Sequence, residues 1–131
     1  MFNSKTNFKV RTKVNSGKKL YLEVRRTNNN VVFKISHCNG IPLYQSTAGA
    51  LGIQGSRRDS PTSAEMATRK VLKRLEPFSD RNITFTLIGP FDRVSRTIIK
   101  SVQGCNVNFS TFRLRNPTSH NGVRLRKPRR V

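Results

Sequence analysis

The feature that most limits the fold of this chain is a change of apolar period partway along it. Leu20, Leu22 and Val24 alternate with Tyr21, Glu23 and Arg25, and Val31, Phe33 and Ile35 alternate with Val32, Lys34 and Ser36. A period of two gives each segment one apolar face, as a half-buried strand requires. Asn28-Asn29-Asn30 makes the turn between them, and Cys38-Asn39-Gly40 is a hairpin signal before a third strand expected from about Pro42 to Ala48. The period then becomes helical: Ala64, Ala67, Thr68, Val71, Leu72 and Leu75 share one face of a helix expected over 61–76, which Pro77 ends. On its other sides Arg69, Lys70, Lys73 and Arg74 read as a solvated face, with Glu65 four residues before Arg69. Ile83, Phe85 and Leu87 restore the alternation in a fourth strand, closed by Gly89-Pro90. Asp92 can cap a second helix with Val94, Ile98 and Val102 on one face, and Gly104 is placed to close it in the left-handed conformation. Val107 and Phe109, alternating with Asn106, Asn108 and Ser110, predict a fifth strand. Three strands, helix, strand, helix, strand implies an α/β domain on a mixed five-stranded sheet. An antiparallel meander comes first, and later strands enter by right-handed crossovers.

Charge says what such a domain faces. In 131 residues, 26 Lys and Arg oppose 6 Asp and Glu, a net charge of +20 that self-repulsion makes costly unless a polyanion neutralises it. Residues 1–26 carry 8 cations and only Glu23 as an acid, and residues 113–131 carry 7 cations and no acid, so the 86 residues between hold 11 cations and 5 acids. The chain therefore divides into a basic N-terminal arm (1–19), a globular domain (20–113) and a basic tail (114–131). Pro117 and Pro128 argue against helix or strand in the tail. The longest weakly polar run, Ile83 to Phe91, falls far short of the roughly 20 residues that span a bilayer. The first 19 residues share the basic, hydroxyl-rich composition of a mitochondrial transit peptide but lack an apolar helical face, and read as an arm that stays on the protein. Cys38 and Cys105 lack CxxC spacing, which fits a reducing compartment.

Between the third strand and the first helix lies Gly49-Ala50-Leu51-Gly52-Ile53-Gln54-Gly55-Ser56-Arg57-Arg58-Asp59-Ser60-Pro61. Glycines let the backbone turn sharply and approach a ligand, and Ser60-Pro61 reads as an N-cap followed by proline in the first turn. Free amides and the positive helix end beside Arg57 and Arg58, both expected to be exposed, suit anionic oxygen, phosphate above all. The plainer alternative is a connecting loop with solubilising arginines. No Gly-Lys-Ser/Thr follows, so this is not a Walker loop, and Gly52-Ile53-Gln54-Gly55 leaves a strand where the Gly-x-x-Gly of a KH domain joins two helices.

At the tail the composition becomes a resemblance. His120-Asn121-Gly122-Val123-Arg124-Leu125-Arg126-Lys127-Pro128-Arg129-Arg130-Val131 resembles the C-terminal signature of the small-subunit ribosomal protein S11 family. Asn28-Asn29, Asn39-Gly40, Ala48-Gly49, Gly55-Ser56-Arg57 and Ser60-Pro61 resemble the same family's pattern, ungapped across some 34 residues. Gly89-Pro90 matches the start of its glycine/proline turn, but Phe91-Asp92-Arg93 then departs from the usual Gly-Pro-Gly and Arg, and Asn116-Pro117-Thr118-Ser119 replaces its proline-rich approach to His-Asn-Gly. The resemblance implies a structural, non-catalytic rRNA-binding protein on the platform of the small subunit, near the messenger RNA exit side. Small-subunit proteins seven and eighteen are the implied neighbours. It implies no cofactor, with magnesium entering only through the rRNA, no membrane and no small-molecule substrate. The residues expected on RNA are Asn28, Asn29, Gly52, Gly55, Ser56, Arg57, Arg58, His120, Asn121, Gly122, Arg124, Arg126, Lys127, Arg129 and Arg130, with Asn121 before glycine also a site for isoaspartate formation. Drift from the pattern in so acid-poor a chain suggests an organelle-encoded copy in the mitochondrial matrix, the alternatives being a plastid or the bacterial cytoplasm.

The expected strand order resembles the ribonuclease-H-like architecture, which implies three layers, so the competing class is a ribonuclease-H-like nuclease, or else a general basic nucleic-acid-binding protein. Nuclease chemistry needs several carboxylates converging on divalent metal. Asp59, Glu65, Glu76, Asp80 and Asp92 fall on loops or helix surfaces and only Glu23 in a strand, so three acids do not assemble. His37, Cys38, Cys105 and His120 have no spacing of a structural zinc site.

Overall fold

The computed structural model describes residues 19–130; the N-terminal arm, but for Lys19, and Val131 lie outside them. The strands are β1 (Leu20–Arg26), β2 (Val31–His37), β3 (Pro42–Thr47), β4 (Ile83–Ile88) and β5 (Phe109–Arg115), and the helices are α1 (Pro61–Leu75) and α2 (Arg93–Gln103). They form one sheet in the order β3-β2-β1-β4-β5. β2 is antiparallel to β1 and β3, while β4 is parallel to β1 and β5 to β4, so every strand but β2 runs the same way.

Period-two alternation sets the register. Leu22 lies beside Ile35 and Phe85, and Val24 beside Phe33 and Leu87, which gathers the large apolar residues of three strands on one face. That face is covered by the α1 stripe Ala64, Ala67, Val71, Leu72 and Leu75 and by Val94, Ile98 and Val102 of α2, all in one core. Full burial of each large apolar side chain contributes roughly 1.5–3 kcal/mol. Thr68, buried in the same stripe, donates its hydroxyl to the Ala64 carbonyl at 2.7 Å and so leaves no polar atom unpaired there. Pro77 turns the chain into a short 3-10 segment, Glu76–Phe78.

Three expectations change. The mixed five-stranded sheet is as expected, but where three layers are expected the described residues form two. Both crossovers advance in one direction across the sheet, from β3 to β4 and from β4 to β5, and both helices pack on the same face. β5 begins at Phe109 and continues through Leu114 to Arg115, two residues into the segment assigned to the tail. A register shift between Ile83 and Thr84 pairs Ile83 with Phe109 but Phe85 with Phe112, so two phenylalanines three residues apart both flank Phe85 and the alternation is broken in the sequence. Gly104 has φ −81° and is not left-handed. Cys105 N–H closes the helix end on the Val102 carbonyl at 3.4 Å, a contact that any residue at 104 permits. Gly89, by contrast, needs to be glycine: φ is +135°, and a Cβ there would lie 2.6 Å from the Arg26 carbonyl oxygen.

Candidate nucleic-acid interface

Because β1, β3, β4 and β5 are parallel, the segments that follow them all leave from one end of the sheet. β1 gives way to the Thr27–Asn30 turn, β3 to the glycine/arginine loop, β4 to the Gly89–Asp92 turn and β5 to the basic tail. Both helices start at this end, and ligands of open α/β sheets characteristically bind at the carboxyl ends of the strands. The rim is stitched together by Ala48 N–H donating to the Val31 carbonyl at 3.2 Å and Gly89 N–H to the Arg115 carbonyl at 3.0 Å. Thus Asn28, Asn29, Gly52, Gly55, Ser56, Arg57, Arg58 and the root of the tail, far apart in sequence, share one rim. The Cys38–Ile41 hairpin lies at the opposite end.

The glycine/arginine loop consists of two 3-10 segments, Gly49–Leu51 and Gly55–Asp59. Gly52 and Gly55 have φ of +81° and +62° and nothing within 4 Å of a would-be Cβ, so glycine is favoured by backbone conformation and not by crowding. The loop is anchored at its start by Ala50 N–H donating to Thr47 Oγ1 at 3.1 Å, and at its end by Ser60, whose hydroxyl accepts from Ser63 N–H at 3.2 Å as the α1 N-cap. An open groove of about 500 Å³ is lined by Gly52, Ile53, Gln54 and Arg57.

The two arginines diverge. Arg57 is exposed, whereas Arg58 is half-buried: its Nε donates to the Ile53 carbonyl at 2.9 Å, and its guanidinium carbon lies 3.4 Å from the Cβ position of Gly49. The expectation that both are exposed is thereby corrected, and Arg58 serves first to hold the loop closed. Arg57→Ala is accordingly expected to weaken RNA binding with an unchanged unfolding midpoint. Arg58→Ala is expected to cost about 1 kcal/mol of stability through the lost loop bond. Thermal denaturation of the two single mutants separates these roles.

Arg26, which the sequence reading passed over, organises the rim. Its side chain is only 5% exposed, its Nη2 lies 3.1 Å from Asp59 Oδ1 at the end of the glycine/arginine loop, and its Nη1 forms a second ion pair with Asp92 Oδ2. Asp92 meanwhile caps α2, its Oδ1 accepting from Val94 N–H at 3.1 Å and Ser95 N–H at 3.2 Å. One guanidinium therefore ties together the loops after β3 and β4. Leu20, Leu22 and Val24 put position 26 in phase with the core face, which is the signal that could have found it. The same arrangement bears on nuclease chemistry, because the two carboxylates brought together here hold a guanidinium and are not free for metal.

The remaining candidates are exposed. Asn28 and Asn29 stand at the tip of a turn in which Thr27 N–H donates to the Asn30 carbonyl at 2.9 Å. His120, Asn121, Gly122, Arg124, Arg126, Lys127, Arg129 and Arg130 lie on a tail with no buried residue from 116 to 130. Asn121 has φ +52°, a left-handed conformation that asparagine tolerates well, and a Cβ at Gly122 would come within 3.0 Å of Ser119 Cβ. On α1, Arg69 pairs with Glu65 at 2.7 Å and Arg74 lies over the Tyr44 ring at 5.5 Å, so these two cations are engaged locally.

Fold and rim together define a mixed α/β domain that presents backbone turns and cations from one end of its sheet. The chain matches the family of ribosomal protein S11 over residues 21–130 and belongs to that family. It is thus a structural ribosomal protein and not an enzyme. It is similar to "Small ribosomal subunit protein uS11" of Wolbachia pipientis subsp. Culex pipiens (strain wPip), with 31% identity over 111 residues covering 84% of this chain and 86% of the relative. It is also 31% identical to the protein of that name from Wolbachia sp. subsp. Drosophila simulans (strain wRi), over 128 residues covering 94% and 98% of the two chains.

Proposed function

We propose that this chain is a structural constituent of the small ribosomal subunit, where the carboxyl-end rim and the basic tail bind small-subunit rRNA and support subunit assembly and translation. The single observation behind this reading is the convergence on one rim of the Asn28–Asn29 turn, the glycine/arginine loop and the root of the tail. In this view residues 20–113 are the globular body, and the arms 1–19 and 114–131 are extensions that follow the rRNA backbone. The proposed seat is the platform, near the messenger RNA exit side, with small-subunit proteins seven and eighteen as neighbours and magnesium present only through the rRNA. Phosphate contacts fix position while exposed loops reach unpaired nucleotides, a division of labour usual in RNA recognition. Sedimentation of the tagged full chain tests the reading. It is expected to travel with the small subunit through a high-salt wash, and its recovery only in the free fraction would refute the assignment.

Two compartments follow from different observations. Scarcity of acids and the drifted turn at Phe91-Asp92 favour the mitochondrial matrix, while the Wolbachia relatives favour bacterial cytoplasm. Fractionation of the source cells, with the subunit recovered from either the organelle or the cytosol, decides between them.

Asn121 is proposed as a site of isoaspartate. Gly122 offers no Cβ to hinder attack of its backbone nitrogen on the Asn121 side chain, and the product adds a methylene and a negative charge next to Arg124, Arg126 and Lys127. Peptides from fresh subunits are expected to gain about 1 Da and to accept methyl groups from an isoaspartyl methyltransferase. Unmodified asparagine would leave an ordinary turn that aims the tail.

A further inference from the structure

Phe91 is 52% exposed, yet it stands on one of the most firmly held turns of the rim. On one side of it Gly89 N–H is bonded to the Arg115 carbonyl at 3.0 Å, and the Pro90 carbonyl accepts the Ser95 hydroxyl at 2.7 Å. On the other, Asp92 is held by two α2 amides and by buried Arg26. The Arg96 guanidinium carbon lies 5.6 Å from the ring centroid, and exposed Arg93 follows in the chain. Phe112, the other strongly exposed phenylalanine among the described residues at 47%, differs in kind, since it packs against Phe85 and Phe109. Phe91 has no aromatic neighbour among the described residues and spends its exposed area on solvent. A rigid, half-exposed ring with a cation over one face is the arrangement that receives an unstacked nucleobase on the other.

We propose that Phe91 is a stacking platform for one unpaired rRNA base, with Arg96 polarising the ring from behind and Arg93 meeting the adjoining phosphate. This rests on the rRNA-binding reading above and adds to it a single-nucleotide contact made by a residue at which this chain departs from its family's turn. Stacking is tolerant of base identity, since every base has a π-face.

The test uses the full chain and a full-length small-subunit rRNA transcript. Phe91→Ala and Phe91→Leu are each expected to weaken binding by about 5- to 100-fold, because a base stacks on a ring and not on an aliphatic chain. Phe91→Tyr and Phe91→Trp are expected to retain affinity. All four should unfold at the midpoint of the unsubstituted chain, as the ring is exposed. The chain contains no tryptophan, so in Phe91→Trp the emission of the single indole reports directly and should be quenched on RNA binding. Wild-type affinity in both Phe91→Ala and Phe91→Leu with unchanged indole emission would overturn the platform while leaving rRNA binding intact. Full retention by Phe91→Leu alone would also overturn it, marking the side chain as a plain apolar contact. Failure of the unsubstituted chain to bind the transcript would overturn the underlying reading as well.

Discussion

Removal of Arg124 to Val131 is expected to cut affinity for small-subunit rRNA by up to about 10³- to 10⁴-fold at 0.1 M salt while leaving the thermal unfolding midpoint unchanged. The segment carries Arg124, Arg126, Lys127, Arg129 and Arg130, five cations with no acid among them. Each phosphate neutralised releases condensed counterions and contributes about 0.7–0.9 to the slope of log affinity against log salt, so full engagement of the five accounts for a slope change of roughly 4. Stability is expected to hold because residues 116–130 are all exposed and contribute nothing to the core. Filter binding across a salt series checks both numbers. An unchanged slope would mean that the tail is a free appendage and that the rim alone carries recognition.

Replacement of Arg26 by Met is expected to lower stability by about 2–4 kcal/mol, because it removes the buried member of a charged cluster and strands its two partners. The loss stays below that of a wholly buried pair, since the Asp59 and Asp92 side chains are 25% and 43% exposed and water recovers part of it. For a domain near 110 residues this corresponds to a fall of about 10 °C or more in the unfolding midpoint. Arg26→Lys should recover little, because a single ammonium cannot fork between two carboxylates. Adding Asp59→Asn and Asp92→Asn to Arg26→Met should restore part of the stability, as asparagine still caps α2 and no uncompensated charge remains. RNA binding is expected to weaken beyond what the lost stability explains, because the loops after β3 and β4 would no longer be held to each other. Calorimetry of these variants is the check, and a loss under about 0.5 kcal/mol in Arg26→Met would show that the cluster contributes little.

Most of the architecture was legible because the apolar period is regular where burial is one-sided. The α1 stripe from Ala64 to Leu75 and the alternations in β1, β2 and β4 correspond to buried faces residue by residue. The glycine/arginine loop was legible as a special backbone, since Gly52 and Gly55 take the positive φ that glycine allows. What failed did so where one local irregularity or one long-range partner decides the outcome. The far end of β5 escaped because the register shift at Ile83/Thr84 breaks its alternation, so that Leu114 and Arg115 read as the start of the tail. Arg58 looked like Arg57 because a bond to the Ile53 carbonyl has no signature in the sequence. Arg26 looked like a strand-end cation, since its partners Asp59 and Asp92 lie 33 and 66 positions away and only the folded sheet brings them to it. The expected third layer failed for a topological reason, as the described chain supplies two crossovers and both fall on one face.

The carboxyl-end rim is expected to face rRNA within the small subunit. Tethered hydroxyl-radical cleavage tests it by placing an iron chelate on a single cysteine, either native Cys38 on the opposite hairpin or Ser56→Cys on the rim in a Cys38→Ser background, with the chain incorporated into small subunits. Cys105, only partly accessible, is changed to Ser in both. Strong, localised cleavage of small-subunit rRNA from position 56 and weak cleavage from Cys38 is the predicted pattern. Cleavage centred on Cys38 with position 56 silent would contradict it.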